Sequence, residues 1–270
     1  MKEILILSDG STDNTRKKVQ EMKQKDARIR FIHDDDRRGK SFRLNQLYAR
    51  CKTDYLLTID GDVVFEGMDA LETMIEGLEK NPTKSVAAAR QKPVADSMTF
   101  IAHVLYTNYE MWNNLINIVN TGKNFYTLTG SACLLRTSFA KHISYPTRGT
   151  CDQGYLYLSA LKKNAYMYVN DAVILQRPVA TIHDFHLSYS RSYKEREELL
   201  DAFPTVDFDQ IYAIPVDQKI FSLLQMFWRN PFYTICAVIL NVVIKKNPYH
   251  DRLRRQGMWL PVISTKKGIV

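Results

Sequence analysis

Short apolar runs alternate with segments of helical periodicity over about the first 90 residues of the chain. The apolar runs, each of which predicts a strand, lie at residues 4–7, 30–32, 55–59 and 85–89. Between two of them, Leu44, Tyr48 and Cys51 recur at the spacing of a half-buried helix. Strands that alternate with helices are typical of an α/β fold with a mostly parallel sheet flanked by helices.

The middle of the chain, about residues 98–170, is rich in aromatic residues and less regular. Residues 130–136 predict a further strand, and residues 155–161 predict a helix. Asp152 therefore falls at the N-terminus of that helix, where backbone N–H groups favour its ionised form.

Two apolar segments near the C-terminus, residues 220–228 and 232–244, are separated by Arg229, Asn230 and Pro231. The second segment has 13 residues, whereas a straight membrane-spanning helix needs about 20. We therefore expect a short, interfacial or re-entrant helix. Joined together, the two segments would be about long enough to span a bilayer, with a kink at Pro231.

Basic residues cluster around these apolar segments. From position 229 onward there are eight Lys and Arg residues against one Asp, so this region carries most of the net charge of +8. Basic flanks and Trp228 beside apolar helices favour contact with an anionic membrane surface at the cytoplasmic face of the cell membrane, and no nucleic-acid partner is expected. The alternative is a buried core helix with a solvated basic end.

Composition excludes several protein classes. With 270 residues, 45% of them hydrophobic and 24% charged, the chain is neither disordered nor a small disulfide-stapled fold. Its four cysteines show no C-x-x-C spacing, so we expect buried free thiols and a reducing compartment. The start of the chain does not resemble a secretory signal. We expect two regions, a catalytic domain over residues 1–200 and a basic, helical, membrane-associated segment over residues 201–270.

A pair of carboxylates follows the predicted strand at residues 55–59. Asp60 and Asp62 are separated by Gly61, which would free the turn from steric limits, so both could face one hard cation. Ligands of open α/β sheets bind at the carboxyl ends of the strands. Since Mg²⁺ and Mn²⁺ usually bind through one or two carboxylates together with substrate phosphates, the motif predicts a diphosphate-bearing ligand. The alternative is an ordinary polar turn.

Three segments in this order, residues 4–15, 38–45 and 54–62, give the chain a recognisable pattern. They resemble the family 2 glycosyltransferases over about residues 1–195. The resemblance implies the GT-A fold, a nucleotide-sugar donor that is usually a UDP-sugar, a divalent metal (Mn²⁺ or Mg²⁺) and inversion at the anomeric carbon.

The resemblance also implies roles for individual residues on the donor side. Asp9 matches the carboxylate that contacts uracil, with Gly10 and Ser11 beside it in the same motif. Asp60 matches the carboxylate that contacts the ribose, and it shares the metal site with Asp62, which matches the metal ligand.

On the acceptor side, Gly130 and Ser131 match a Gly-Ser/Thr segment of the family, and Asp152 stands where the family has its catalytic base. Read without the resemblance, Asp152 is a helix cap. Arg191 is what remains of the Gln-x-x-Arg-Trp segment of processive members, and this departure argues against a polymer-translocating synthase.

Four further polar residues have two interpretations each. Lys40 and Arg38 could contact a phosphate or the donor sugar, or could form a solvated basic turn. His183 and His186 could be ligands, although a surface or capping role is the simpler interpretation.

A second departure concerns the first strand. Family members begin with a strand and a Pro-x-Tyr/Phe-Asn-like loop about 30 residues before the motif that contains Asp9. We therefore expect an N-terminally truncated reading of a longer gene, and we expect the two strands that would flank the first strand to lack a partner.

Three functions remain open from the sequence. The first is a membrane-associated, metal-dependent inverting glycosyltransferase that acts on a saccharide or lipid-linked acceptor. The second is a haloacid-dehalogenase-type phosphatase, because an apolar strand followed by Asp60-Gly61-Asp62 superficially matches its nucleophile loop. The third is a non-catalytic remnant that binds a nucleotide or a membrane.

Overall fold

The computed structural model describes residues 1–95, 98–146, 152–246 and 262–266. The strands in these residues are β1 (Ile4–Asp9), β2 (Ile29–Asp34), β3 (Tyr55–Ile59), β4 (Val63–Phe65), β5 (Val86–Pro93), β6 (Ala132–Arg136) and β7 (Tyr166–Gln176). The helices are α1 (Thr15–Lys25), α2 (Lys40–Arg50), α3 (Ala70–Lys80), α4 (Phe100–Ile118), α5 (Thr137–Ala140), α6 (Asp152–Leu161), α7 (Ile182–Ala202), α8 (Phe208–Tyr212), α9 (Val216–Arg229) and α10 (Pro231–Lys246).

The main sheet has five strands in the order β3-β6-β5-β7-β4. Strand β5 pairs in parallel with β7, while β6 pairs antiparallel with both β3 and β5, and β4 pairs antiparallel with β7. Strands β3, β5 and β7 therefore run in one direction, and β6 and β4 run in the other. Helices α3 and α4 contact β5, and α6 contacts β7.

The α/β class and all five predicted strands are confirmed, but the sheet is mixed and not mostly parallel. Three of its four strand pairs are antiparallel. The difference has two causes. The sequence pattern did not predict β4 and β7, and a short apolar run such as β6 carries no information about the direction of the strand.

Strands β1 and β2 pair in parallel and form a sheet of their own. Among the described residues, β1, β2, β3 and β4 each pair with a single strand, so each has one edge without a partner strand. The expectation that two of these edges flank a missing first strand stays a prediction. Helix α2 packs against β1, and its residues Leu44 and Tyr48 reach the core of the main sheet.

The two faces of the main sheet belong to two cores, because successive side chains of a strand point to opposite faces. In β5, Val86 and Ala88 join the core beneath α2 and α6, while Ala87 and Ala89 join the core beneath α3. The small alanines leave room for the large buried side chains of α3, of which Met74 is fully buried. The core beneath α2 and α6 holds the helices that carry the site.

The C-terminal helices pack on the rest of the chain. Helices α9 and α10 contact each other and α4, and Pro231 begins α10, so the predicted break lies where it was expected. Within the part of the chain that the structure describes, no helix is both long and apolar enough to cross a membrane.

The cysteines in the described residues are free thiols. Of these, Cys133 is buried, whereas Cys51 and Cys236 are half-buried, so the prediction of full burial is wrong for the latter two. Cys151 lies outside the described residues.

Candidate active site

Asp60 lies directly after β3, at the carboxyl end of that strand. Its backbone N–H donates to the carbonyl of Ser131 at 2.9 Å, which fixes the start of the turn against β6. Gly61 follows with open space around its Cα and without a left-handed backbone. The expectation that Gly61 frees this turn from steric limits is therefore wrong, since a larger residue would fit there.

Lys40 joins Asp60 to Asp152. Its ammonium nitrogen lies 2.9 Å from Asp60 Oδ1 and 3.2 Å from Asp152 Oδ2, and it donates to the carbonyl of Gly130 at 3.4 Å. Lys40 begins α2, and Asp152 begins α6. The structure thus brings together residues that the sequence places far apart, and the carboxylates predicted for the donor and for catalysis share one cation.

Charge and burial act in opposite directions at this cluster. Burial lowers the pKa of Lys40, but the negative charges of Asp152 and Asp60 outweigh this effect and raise the pKa above its ordinary value. Burial raises the pKa of the Asp60 carboxyl, and the ammonium of Lys40 offsets that only in part. Lys40 therefore stays charged.

Gly130 lets the Asp152 carboxylate approach β6. Gly130 has a φ of +70°, and a Cβ there would lie 3.3 Å from Asp152 Oδ2. The next residue, Ser131, is buried, and its hydroxyl accepts a hydrogen bond from the Gln91 side chain at 3.1 Å. Ser131 shapes the site through its backbone, while its side chain faces β5.

Asp9, the last residue of β1, organises the turn that leads to Lys40. Its carboxylate accepts hydrogen bonds from the backbone N–H groups of Arg38 and Gly39 at 2.8 and 2.9 Å. It also pairs with the buried guanidinium of Arg43 at 2.8 Å. In the structure Asp9 therefore anchors the N-terminus of α2 and keeps the backbone next to Lys40 in place.

Asp62 has a different environment from Asp60. Its carboxylate accepts a long hydrogen bond of 3.4 Å from the Thr265 hydroxyl, and no ion pair engages it within the described residues. The described residues also contain no group of three or more His, Cys, Asp or Glu side chains that could hold a metal ion. One carboxylate with a free side fits Mg²⁺ or Mn²⁺, which complete their coordination with substrate phosphates and water.

Other predicted residues lie around this centre. Gly10 follows Asp9 with a φ of +67°, and Ser11 comes next in the connection to α1. The Arg38 side chain pairs with Asp34 at 3.4 Å and lies over the Phe42 ring.

Helix α7 carries three of the predicted residues. His183 and His186 lie in its first turns and join no metal-ligating group among the described residues. Arg191 is half-buried in the middle of α7, one turn before Glu195.

The family model described as glycosyl transferase family 2 matches residues 1–144, which is more than half of the chain. The chain belongs to this family. Curated relatives include the poly-beta-1,6-N-acetyl-D-glucosamine synthase of Staphylococcus epidermidis, 28% identical over 148 residues that make up 53% of this chain and 34% of the relative. The synthase of the same name from Staphylococcus aureus (strain COL) is 36% identical over 81 residues, 30% of this chain and 19% of the relative. The chain thus spans about a third or less of the length of these family 2 relatives.

Solved structures support the same fold for this family 2 chain. A mannosyltransferase from Pyrobaculum calidifontis in complex with GDP-Man and Mn²⁺ superposes with a TM-score of 0.57 at 14% identity, covering 92% of this chain and 67% of that one. Glucosyl-3-phosphoglycerate synthase from Mycobacterium tuberculosis superposes with a TM-score of 0.51 at 14% identity, covering 76% of this chain and 70% of that one. The predicted GT-A fold is confirmed.

Glu195 of α7 is a buried carboxyl, influenced by the charge of Asp152, that the sequence did not reveal. One oxygen of its carboxyl is buried without a hydrogen-bond partner in the described part of the chain. Burial and, next, the negative charge of Asp152 raise the pKa of Glu195 to about 7, although the backbone N–H of Gly154 opposes this. Nothing in the sequence distinguishes it from the other glutamates of α7, because its burial depends on how α7 packs on α6.

Gly130→Ala should destabilise the fold by about 1–2 kcal/mol, because it forces a side chain into the left-handed region. The new Cβ would also lie 3.3 Å from the Asp152 carboxylate. Gly61→Ala is the matched control and should change stability by less than about 0.5 kcal/mol, since its Cβ meets nothing within 4 Å. Chemical denaturation measures both, and equal effects would contradict the geometry of this turn.

Glu195→Gln should remove a pH dependence of stability. The folded pKa of Glu195 is about 7 and the ordinary value is 4.5, so between these values the folded state binds more protons than the unfolded state. The wild-type protein therefore loses stability as pH rises from about 4.5 to 7, by about 2–3 kcal/mol from this residue. Urea denaturation at pH 5 and pH 8 measures the loss.

The exposed Glu197 on the same helix provides the control. Glu197→Gln should keep the wild-type dependence on pH. If Glu195→Gln also kept it, Glu195 would not carry the raised pKa.

Proposed function

We propose that the protein is an inverting, metal-dependent glycosyltransferase that moves a sugar from a nucleotide-diphosphate donor to a hydroxyl of a saccharide or lipid-linked acceptor. One observation carries the proposal: Asp60 and Asp152 converge on the Lys40 ammonium at 2.9 and 3.2 Å. A donor-binding carboxylate and a catalytic base must belong to one cluster of side chains if both are to act on the same sugar.

The donor lies across the carboxyl ends of β1 and β3 in this proposal. Asp9 holds the backbone around Gly39, and Asp60 contacts the ribose, while Asp62 holds the metal. Asp60 is the weaker metal ligand because both of its oxygens lie within 3.0 Å of Lys40 Nζ. A divalent ion held at Asp62 would supply positive charge that stabilises the departing diphosphate.

Asp152 is the general base. It takes the proton from the acceptor hydroxyl as that oxygen bonds to the anomeric carbon, while the bond from this carbon to the diphosphate breaks. Attack from the side opposite the diphosphate inverts the anomeric carbon. Lys40 holds the Asp152 carboxylate in place before the acceptor binds, and Gly130 leaves the approach to this carboxylate open.

UDP is the proposed nucleotide, and UDP-N-acetylglucosamine is the first donor to test, because the relatives from Staphylococcus are named as N-acetyl-D-glucosamine polymer synthases. The phosphatase alternative is less well supported, because family 2 membership favours sugar transfer. It would show as a phosphorylated Asp60 trapped with beryllium fluoride.

A transfer assay tests the proposal. The protein is incubated with Mn²⁺, a panel of UDP-sugars and GDP-mannose, and N-acetylglucosamine oligosaccharides or lipid-linked sugars, and released nucleotide is measured. Metal-dependent release of nucleotide from a UDP-sugar supports the proposal. Tight binding of UDP with no release from any donor, with or without acceptor, would instead identify a nucleotide-binding remnant.

A further inference from the structure

The apolar side chains of helix α10 lie mainly on its exposed face, which is the reverse of a surface helix in an ordinary soluble protein. Its buried face carries the small residues Thr234 and Ala237, the half-buried Asn241 and, in the last turn, the buried Ile244. Most of its large aliphatic side chains are exposed, namely Ile235, Val238, Ile239, Val242 and Val243. A surface helix in water normally buries its apolar stripe and exposes its polar residues.

Polar contacts attach this inner face to the rest of the protein. The Asn241 side chain hydrogen-bonds the Asn108 side chain of α4. The Thr234 hydroxyl donates to the carbonyl of Met226 in α9 at 3.1 Å. Small and polar residues between closely packed helices are typical of helix contacts in an apolar environment.

Helix α9 is similar, because only Ser222 and Met226 of its described residues are buried while most of its apolar side chains are exposed. Its buried Ser222 hydroxyl accepts a hydrogen bond from Asn114 of α4 at 3.1 Å. Its exposed apolar residues are Val216, Ile220, Phe221, Leu223, Leu224, Phe227 and Trp228. Trp228 has 85% of its surface exposed, and Phe232 at the start of α10 has 60%. Such exposure of aromatic residues is costly in water and favourable where a bilayer meets water.

We propose that the outer face of α9 and α10 docks in the plane of an anionic lipid bilayer. Helices of 14 and 16 residues are too short to cross the hydrocarbon core, but they can lie in the headgroup region with their apolar faces toward the acyl chains. This inference does not depend on the proposed sugar transfer.

Charge selects the bilayer over a second copy of the chain. Lys219, Arg229, Lys245 and Lys246 are exposed on these two helices, where Asp217 is the acidic residue. Anionic lipid headgroups attract these basic residues. A symmetric dimer through the same face would bring two copies of the basic residues into one interface, where like charges repel.

Vesicle flotation tests the docking. The wild-type protein should float with phosphatidylcholine vesicles that contain phosphatidylglycerol, and added salt should weaken this binding. The double variant Ile239→Ser/Val242→Ser should bind about ten-fold more weakly or worse, because it removes two aliphatic side chains from the buried face. Met22→Ser/Met68→Ser removes two exposed side chains elsewhere and should bind like the wild type.

Fluorescence of Trp228 reports the orientation. Changing Trp112 and Trp259 to Phe leaves Trp228 as the remaining tryptophan, and lipids brominated along the acyl chain should quench its emission. Circular dichroism shows that each variant is folded. Equal flotation of the wild type and the Ile239→Ser/Val242→Ser variant, or an unquenched Trp228, would overturn the proposal. So would a dimer in light scattering that this variant disrupts, with no binding of the wild type to vesicles.

Discussion

Asp152→Asn should lower the turnover of sugar transfer by roughly 100-fold or more, as expected for the loss of a general base. The change keeps the size of the side chain and removes the group that accepts the proton. Asp152 is 16% exposed and lies 3.2 Å from the Lys40 ammonium, and the amide can still accept a hydrogen bond there. We therefore expect the affinity for UDP and Mn²⁺ to stay nearly unchanged.

Steady-state kinetics and calorimetry separate the catalytic role of Asp152 from a structural one. Asp201→Asn changes an exposed aspartate of α7 and should leave both turnover and affinity unaltered. A loss of UDP affinity as large as the loss of turnover would mean that Asp152 holds the cluster together and does not act as the base. Unchanged turnover would remove Asp152 from the mechanism.

Asp62→Ala should abolish the metal-dependent part of UDP binding. Asp62 is the carboxylate of the turn after β3 that no ion pair engages in the described residues, so it is the group free to take Mn²⁺. A divalent cation held by Asp62 would strengthen nucleotide binding by neutralising charge on the diphosphate, so without this carboxylate the nucleotide should bind as it does without metal.

Calorimetric titration of UDP with and without Mn²⁺ measures this effect. The wild type should bind UDP more tightly when Mn²⁺ is present, and Asp62→Ala should bind equally in both conditions. Asp171→Ala removes an exposed carboxylate from β7 and should behave like the wild type. An Asp62→Ala protein with the full Mn²⁺ dependence would show that the metal is held elsewhere.

Much of the fold could be predicted because its signals are local. Strand β3 is a five-residue apolar run, and α2 has apolar residues on one face, so both appear in the sequence pattern. Strand direction has no local signal, and the antiparallel pairing of β6 with β5 depends on the tertiary contacts around it. The three-residue strand β4 is too short for its period to be recognised.

The acidic residues of the site could be predicted, but their partners could not. Asp60 and Asp62 stand in a short motif, and Asp152 was identified through the resemblance to the family. In the sequence, Lys40 is one of several basic residues in a turn. The position of its ammonium between Asp60 and Asp152 depends on how α2 packs.

The contact between Thr265 and Asp62 joins residues 203 positions apart, a separation at which periodicity carries no information. The exposure of the apolar face of α10 could not be predicted for a related reason. Its apolar residues are evident in the sequence, but the side of the helix that packs on α4 is known only from the structure.

A crystal soaked with UDP and Mn²⁺ and measured at the manganese absorption edge shows whether Asp62, Asp60 and Asp152 surround one metal-bound nucleotide. We expect an anomalous peak at coordination distance from the Asp62 carboxylate and from the diphosphate, with the ribose at Asp60 and the Asp152 carboxylate facing the space beyond the diphosphate. A manganese peak away from Asp62, or an Asp152 side chain turned away from that space, would contradict this arrangement.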